Sequence, residues 1–284
     1  MTSPTDVPVD TVDLLDLDHP HLNPLRPVPT ATLCPHCAQT PLHTLQDTAD
    51  ETDDPNRNAN ASMLCAVSTL LTIDTDLRRN APRRPANVAT FQVCEACGYA
   101  QHTRYVSNTA HDTAIVSGPR YRQWLDPSVP LRASILMRAS ALLTYNPTTE
   151  TEHRRTRQEL DAWNWRVHAA HDADDHDQDD LAHRCRTAAI TIHSVVTDPI
   201  LNSIELTYQI IDVLRRAADF ERARALLHDL SHALRGYALR HRDNPWHAAT
   251  ALMHLQDQLV HNKDTRRVSG EDALAHLPPE VART

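Results

Sequence analysis

Glycine is scarce in this chain: 4 residues among 284, where an ordinary chain has about 7%. Gly98, Gly118, Gly236 and Gly270 stand far apart. Phosphate-cradling loops need glycine where backbone meets ligand, so P-loop, Rossmann and G-x-S-x-G readings do not fit. Primed β-hairpin turns favour Asn-Gly or Asp-Gly; neither dipeptide occurs, which argues against a turn-rich β sandwich. Aromatics are also few, with 4 Trp, 6 Tyr and 2 Phe. Any core must be aliphatic, in the manner of stacked helices. Lysine is reduced to Lys263. No run of about 18 apolar residues exists, so no membrane span is expected. The first 20 residues are acidic and lack a basic stretch followed by an apolar one, so no secretory signal is expected there. A cytoplasmic protein is the expectation, and its 6 cysteines then read as metal ligands or buried thiols rather than disulfides.

The net charge is −9, unevenly placed. Most of the acidic excess lies in residues 1–60. Residues 78–122 are locally basic, with Arg78, Arg79, Arg83, Arg84, Arg104, Arg120 and Arg122 against Glu95 and Asp112.

Length suggests one to two domains. Residues 1–30, rich in Pro and Asp without period, read as a flexible acidic arm. Residues 31–106 hold five of the cysteines, a polar acidic insertion at 47–60, and β-capable segments at 62–72 and 89–93. From about 118 to 276 the pattern is helical, with prolines between segments. In 178–196, Leu181, Cys185, Ala188, Ile192 and Val196 form one stripe, as an amphipathic helix requires. Similar stripes run through 131–144, 155–170, 220–240 and 246–262. Residues 199–216 are apolar around most of the circumference, which predicts a central helix covered on several sides. The stretch 204–237 has the length of one TPR unit, and 217–227 resembles the turn and second helix of such a repeat. An ordinary helical hairpin reads the same way. The fold expected is mainly α, a TPR-like helical-hairpin array with a small N-terminal zinc-ribbon β subdomain.

The residues with chemical content are two C-x-x-C pairs, Cys34-Pro35-His36-Cys37 and Cys94-Glu95-Ala96-Cys97. Each pair can aim two thiolates at one point, and two pairs complete a tetrahedral four-thiolate site for Zn2+. Gly98 follows the second pair and can take positive φ, turning backbone N–H groups toward a thiolate. Ala38 stands in that place after the first, a less comfortable fit. The halves are 57 positions apart, against roughly 15–20 in a compact site, so an insertion splits the ribbon. Four thiolates leave no open position for water, which makes the zinc structural rather than catalytic. Cys-Pro-His-Cys also occurs in thiol oxidoreductases, but that reading needs a preceding core strand and a following helix, and Pro41 comes soon after. Disulfide pairing is the other alternative. Cys65 is an alternative ligand or a small apolar residue, and Cys185 lies in a helical stripe and reads as core.

The 19 histidines invite a second metal reading. His247, His254 and His261 repeat every seven residues, about 10.5 Å of helix, so the outer two cannot share an ion. His228 and His232 face away from their apolar stripe. Solvated faces account for both sets, and a charged loop for the acidic run 172–180.

These residues resemble the bacterial domain-of-unknown-function family 2225, whose members look like a split zinc ribbon followed by TPR-like helices. The matching parts are Cys34 to Cys37, then Asp74 to Arg78, then Phe91 to Ala100, and more loosely Arg216 to Ala225. Ala38 stands where the family tends to have glycine. The resemblance implies zinc, held by Cys34, Cys37, Cys94 and Cys97, and a fold; it implies no activity.

The functional expectation is a zinc-binding, non-catalytic adapter or scaffold, its helices offering a surface to a protein partner. The alternative is nucleic-acid binding through the ribbon and Arg78, Arg79, Arg83, Arg84 and Arg104. A homo-oligomer is left open, and no membrane partner is expected. No Ser/His/Asp spacing or phosphate loop points to an enzyme.

Overall fold

The structure, a computed structural model, describes residues 25–47, 91–103, 105, 107, 109–144, 152–192, 204–240 and 247–277. The segment 62–72 lies outside them. The described residues fall into two compact units, one ending at Asp177 and the other beginning at Gln178.

The first unit opens with an antiparallel sheet in the order β1 (Leu25–Leu33), β2 (Pro41–Asp47), β3 (Phe91–Val93), β4 (Ala100–His102). Residues 25–30, expected in the flexible arm, are the start of β1. Pro27 and Pro29 donate no hydrogen bond, and an edge strand is where a sheet tolerates that. The β1–β2 pairing runs in step from Leu25↔Asp47 to Pro29↔His43 and then shifts before Leu33↔Pro41. β2 pairs with β3 through His43↔Val93 and Thr44↔Gln92. β3 and β4 pair from Phe91↔His102 to Val93↔Ala100. The sheet is thus two hairpins side by side, and each C-x-x-C pair is the turn of one hairpin.

Helices α1 (Thr109–Val116) and α2 (Pro119–Arg122) follow, then α3 (Leu131–Thr144) and α4 (Glu152–Asp175). The helical pattern begins nine residues before the expected 118. Every residue from Ala133 to Ser140 is buried, because α3 packs against α4, α1 and β4 together. The acidic run was expected as a loop, but α4 extends through Asp175. Its Asp172 is buried and accepts from the Ala133 N–H at 3.1 Å. Ala133 is the third residue of α3, so Asp172 satisfies one of that helix's unpaired N-terminal donors from a distance.

The second unit holds α5 (Asp179–Ala189), α6 (Ile204–Arg216), α7 (Phe220–Arg240) and α8 (His247–His261), followed by a 3-10 segment at Gly270–His276. α5 buries Leu181, Cys185 and Ala189, with Ala189 in the place expected for Ala188; Ile192 is buried beyond the end of the helix, and Val196 lies outside the described residues. α6 is the central helix that its apolar circumference predicted, touching α5, α7 and α8. Its Tyr208 hydroxyl donates to the Ala249 carbonyl of α8. Its buried Arg215 donates to Asp212 at 2.6 Å, to Gln256 at 3.0 Å and to the carbonyls of Asp264 and Arg266. That pins the loop after α8 to the central helix.

Scarce glycine leaves a mark on the turns. Left-handed positions fall on Ala38, Asp177, Ala218 and Lys263 as well as Gly98. After α6, the Ala218 N–H bonds to Arg215 O and the Asp219 N–H to Leu214 O. After α8, Lys263 and Asp264 repeat this pattern with Val260 and Leu259. Both are Schellman caps, a motif in which the left-handed place is usually glycine.

Candidate metal centre

The two cysteine turns repeat one local geometry. In the first, the Cys34 N–H bonds to Thr40 O and the Ala38 N–H to Cys34 O, both at 2.9 Å. In the second, the Cys94 N–H bonds to Tyr99 O at 2.8 Å and the Gly98 N–H to Cys94 O at 2.9 Å. The residue after each pair has positive φ, 53° at Ala38 and 70° at Gly98. The left-handed residue folds the backbone over the first cysteine. The backbone amides of Cys37 and His36 then favour the Cys34 thiolate, and those of Cys97 and Ala96 the Cys94 thiolate. Alanine therefore adopts what glycine was expected to be needed for.

The sheet brings the two turns to one point. Cys34 Sγ lies 3.6 Å from Cys97 Sγ, and Cys37 Sγ lies 3.7 Å from Cys94 Sγ. All four sulfurs are within 4.8 Å of one another. A tetrahedral ion with bonds of about 2.3 Å to sulfur separates its ligands by about 3.8 Å, so the four residues fit one metal ion. Cys34 and Cys94 are buried, Cys37 and Cys97 half-buried, and all four are free thiols. The sulfurs share protons unevenly. Hydrogen bonding with Cys34, then with Cys97, holds the Cys94 thiol far below its usual range. The bond with Cys94 pushes Cys34 up to about 11, and the bond with Cys34 raises Cys97. Crowded thiolates repel, so full ionisation of the cluster calls for a cation.

Helices close the site from below. Cys34, Cys94, Leu42, Tyr99, Val116, Tyr121 and Leu142 form one buried cluster. The Tyr121 hydroxyl accepts from the Ala100 N–H at 2.9 Å and donates to Gly98 O at 3.2 Å. Arg138 of α3 donates to the same carbonyl through Nη1. Burial pushes the Arg138 guanidinium down from its ordinary value. On the other side, buried Asp112 accepts from Tyr105 at 2.8 Å and Ser107 at 2.7 Å, with the Tyr99 hydroxyl 3.1 Å away. Burial first, and this carboxylate second or third, raise Tyr99 and Tyr105, so both are neutral phenols. None of Tyr121, Arg138 and Asp112 was expected from the sequence. They come to the site from positions with no fixed spacing to the cysteines.

The remaining sequence-predicted residues divide in two. Arg78, Arg79, Arg83, Arg84, Arg104 and Cys65 lie outside the described residues. Cys185 is buried in α5 as expected. His254 and His261 are exposed on α8, and His228 and His232 are exposed on α7 with their Nε2 atoms 3.3 Å apart. The context that a thiol oxidoreductase would need is not met, since β2 rather than a helix follows Cys37. Among the described residues, no disulfide forms, no second cluster of three or more metal-ligating groups occurs, and no helix is long and apolar enough to cross a membrane.

Fold and site together define a mostly helical protein with a small antiparallel sheet and a four-cysteine cluster able to hold a metal ion. No protein-family model matches the chain, and no curated protein or solved structure is significantly similar to it.

Proposed function

We propose that the chain is a structural zinc protein, a split ribbon closed by Cys34, Cys37, Cys94 and Cys97 and mounted on helices that engage a protein partner. The observation that carries this reading is the convergence of four sulfurs within 4.8 Å from two turns of like geometry. Four thiolates in a tetrahedral arrangement suit zinc, a borderline-soft ion with no preference for a flatter geometry. Bound there, zinc supplies a cross-link between the β1–β2 and β3–β4 turns. The cysteines fill its coordination, so no water is activated and the role is structural. Free thiols fit a reducing, cytoplasmic setting.

In this reading the α6–α7 hairpin is one TPR-like unit, with Ala218 in its turn and Ala223 buried. The adapter role is the use such an array would have, since helical arrays bury a core between neighbours and leave a face for a partner. The test is metal analysis and pulldown on one preparation of the full chain. One zinc per chain, lost with its captured partner in Cys94→Ser, supports the reading. Full metal content with an unchanged melting temperature in Cys94→Ser overturns it.

A further inference from the structure

We infer that His228 and His232, one turn apart on the exposed face of α7, form a metal site that shares no ligand with the cysteine cluster: a two-imidazole chelate for an exchangeable Zn2+ whose outer positions are open to water. Spacing along the sequence reads as a solvated face, and both side chains are exposed. Yet the rings do not splay apart into solvent. Their centroids lie 4.6 Å apart and their Nε2 atoms 3.3 Å apart. The pairs His168/His171 and His254/His276 stand wider, at 5.8 and 6.4 Å between centroids.

The spacing is that of two ligands on one ion. Bonds of about 2.0–2.1 Å from imidazole to a tetrahedral zinc place two ligating nitrogens about 3.3 Å apart, and imidazole is a donor that suits zinc. Without an ion, one Nε2–H donating to the other Nε2 holds both rings at this bite distance. Zinc takes the place of that shared proton, which passes through solvent to Nδ1 of its own ring. At His228 the Nδ1 lies 3.5 Å from Asp229 Oδ1, the kind of carboxylate partner that orients a metal-bound histidine. The helix beneath is already ordered, because α7 packs against α6 and α8, so the two ligands sit on a rigid element. Arg224 and Arg235 lie on the same face, one turn before His228 and one turn after His232. Their charge weakens the hold on a cation, so the ion exchanges and the site empties on desalting.

The test is equilibrium dialysis of the full chain against micromolar free zinc, comparing wild type with His228→Gln, His232→Gln and the control His261→Gln. Glutamine is a good helix former and all three positions are exposed, so the variants fold. Wild type and the control should each bind about one zinc per chain more than either His228→Gln or His232→Gln. Combining those two substitutions should lose no more than one alone, because a chelate fails when either arm is removed. Equal zinc binding by all the chains overturns the inference. Losses that add between the two single variants also overturn it and leave two independent imidazoles. All the chains carry the same cysteines, so the comparison stands whether or not the four-cysteine site fills. Carbethoxylation by diethyl pyrocarbonate, mapped by peptide mass spectrometry, gives a second reading on the wild type alone. Zinc should slow modification of His228 and His232 together by severalfold and leave His261 unchanged. No protection of the pair overturns the inference.

Discussion

Ala38→Gly should stabilise the zinc-loaded protein, and Gly98→Ala should damage it. The two residues hold the same place in the two cysteine turns, at φ 53° and 70°, but their surroundings differ. A non-glycine residue in the left-handed region costs about 1–2 kcal/mol. Ala38 is exposed, so its methyl group contributes little packing. Glycine there relieves the strain and gives back about 0.5–1 kcal/mol through the freer unfolded chain. The net gain is roughly 0.5–1 kcal/mol, a rise of about 1–4 °C in melting temperature for a domain of 150–250 residues. At Gly98 the same strain would be introduced rather than removed. A Cβ there would also overlap the Leu125 side chain and approach Arg138 Nη1 at 3.2 Å. Overpacking adds about 1–3 kcal/mol, and the stiffer unfolded chain returns about 0.5–1 kcal/mol, so the total loss is roughly 1–4 kcal/mol. Thermal unfolding of both variants in saturating zinc, with circular dichroism as the probe, measures the pair. A destabilised Ala38→Gly protein or an unaffected Gly98→Ala protein would refute the equivalence of the two turns.

Ala218→Gly, in the exposed turn after α6, should be mildly stabilising for the same backbone reason, by less than about 1 kcal/mol in urea unfolding. Arg215→Met should cost about 3–5 kcal/mol in that assay, because it strands buried Asp212 and two backbone carbonyls. Tyr121→Phe removes the acceptor of the Ala100 N–H and a donor to Gly98 O, and should cost about 1–3 kcal/mol. Asp264→Asn should show a pH signature. Hydrogen bonds from Arg266 lower the Asp264 carboxyl to about 2. The stabilisation is thus present above the unfolded value near 4 and lost as pH falls through 2. The gap between Asp264→Asn and wild type in acid unfolding should be small at neutral pH and close between pH 4 and 2.

The metal ligands were legible because their chemistry is local. Two C-x-x-C pairs declare two thiolates per turn whatever lies between them, so the long insertion between the turns did not hide the site. The helices of the second unit were legible for a similar reason. Their stripes follow the 3.6-residue period, and α6 announced its central place by being apolar around most of its circumference. β1 was not legible, because Pro27 and Pro29 read as breakers until the strand is known to lie at the sheet edge. The acidic end of α4 was misread because composition cannot show that Asp172 meets the N-terminus of α3. Ala38 resisted prediction differently. The turn imposes left-handed φ through its hydrogen bonds, and local preference yields to them. Arg138, Tyr121 and Asp112 were invisible because tertiary packing alone brings them beneath the cysteines.

Cobalt(II) titration of the full chain probes the proposed metal site most directly. Cobalt stands in for zinc and reports both geometry and ligand type in its visible and near-ultraviolet absorption. Four thiolates in a tetrahedron should give intense visible bands and sulfur-to-cobalt charge transfer, saturating at one ion per chain and erased by added zinc. Cys34→Ser, Cys37→Ser, Cys94→Ser and Cys97→Ser should each reduce the charge-transfer intensity. A weak octahedral spectrum, or one indifferent to these four cysteines, would contradict a shared tetrathiolate site.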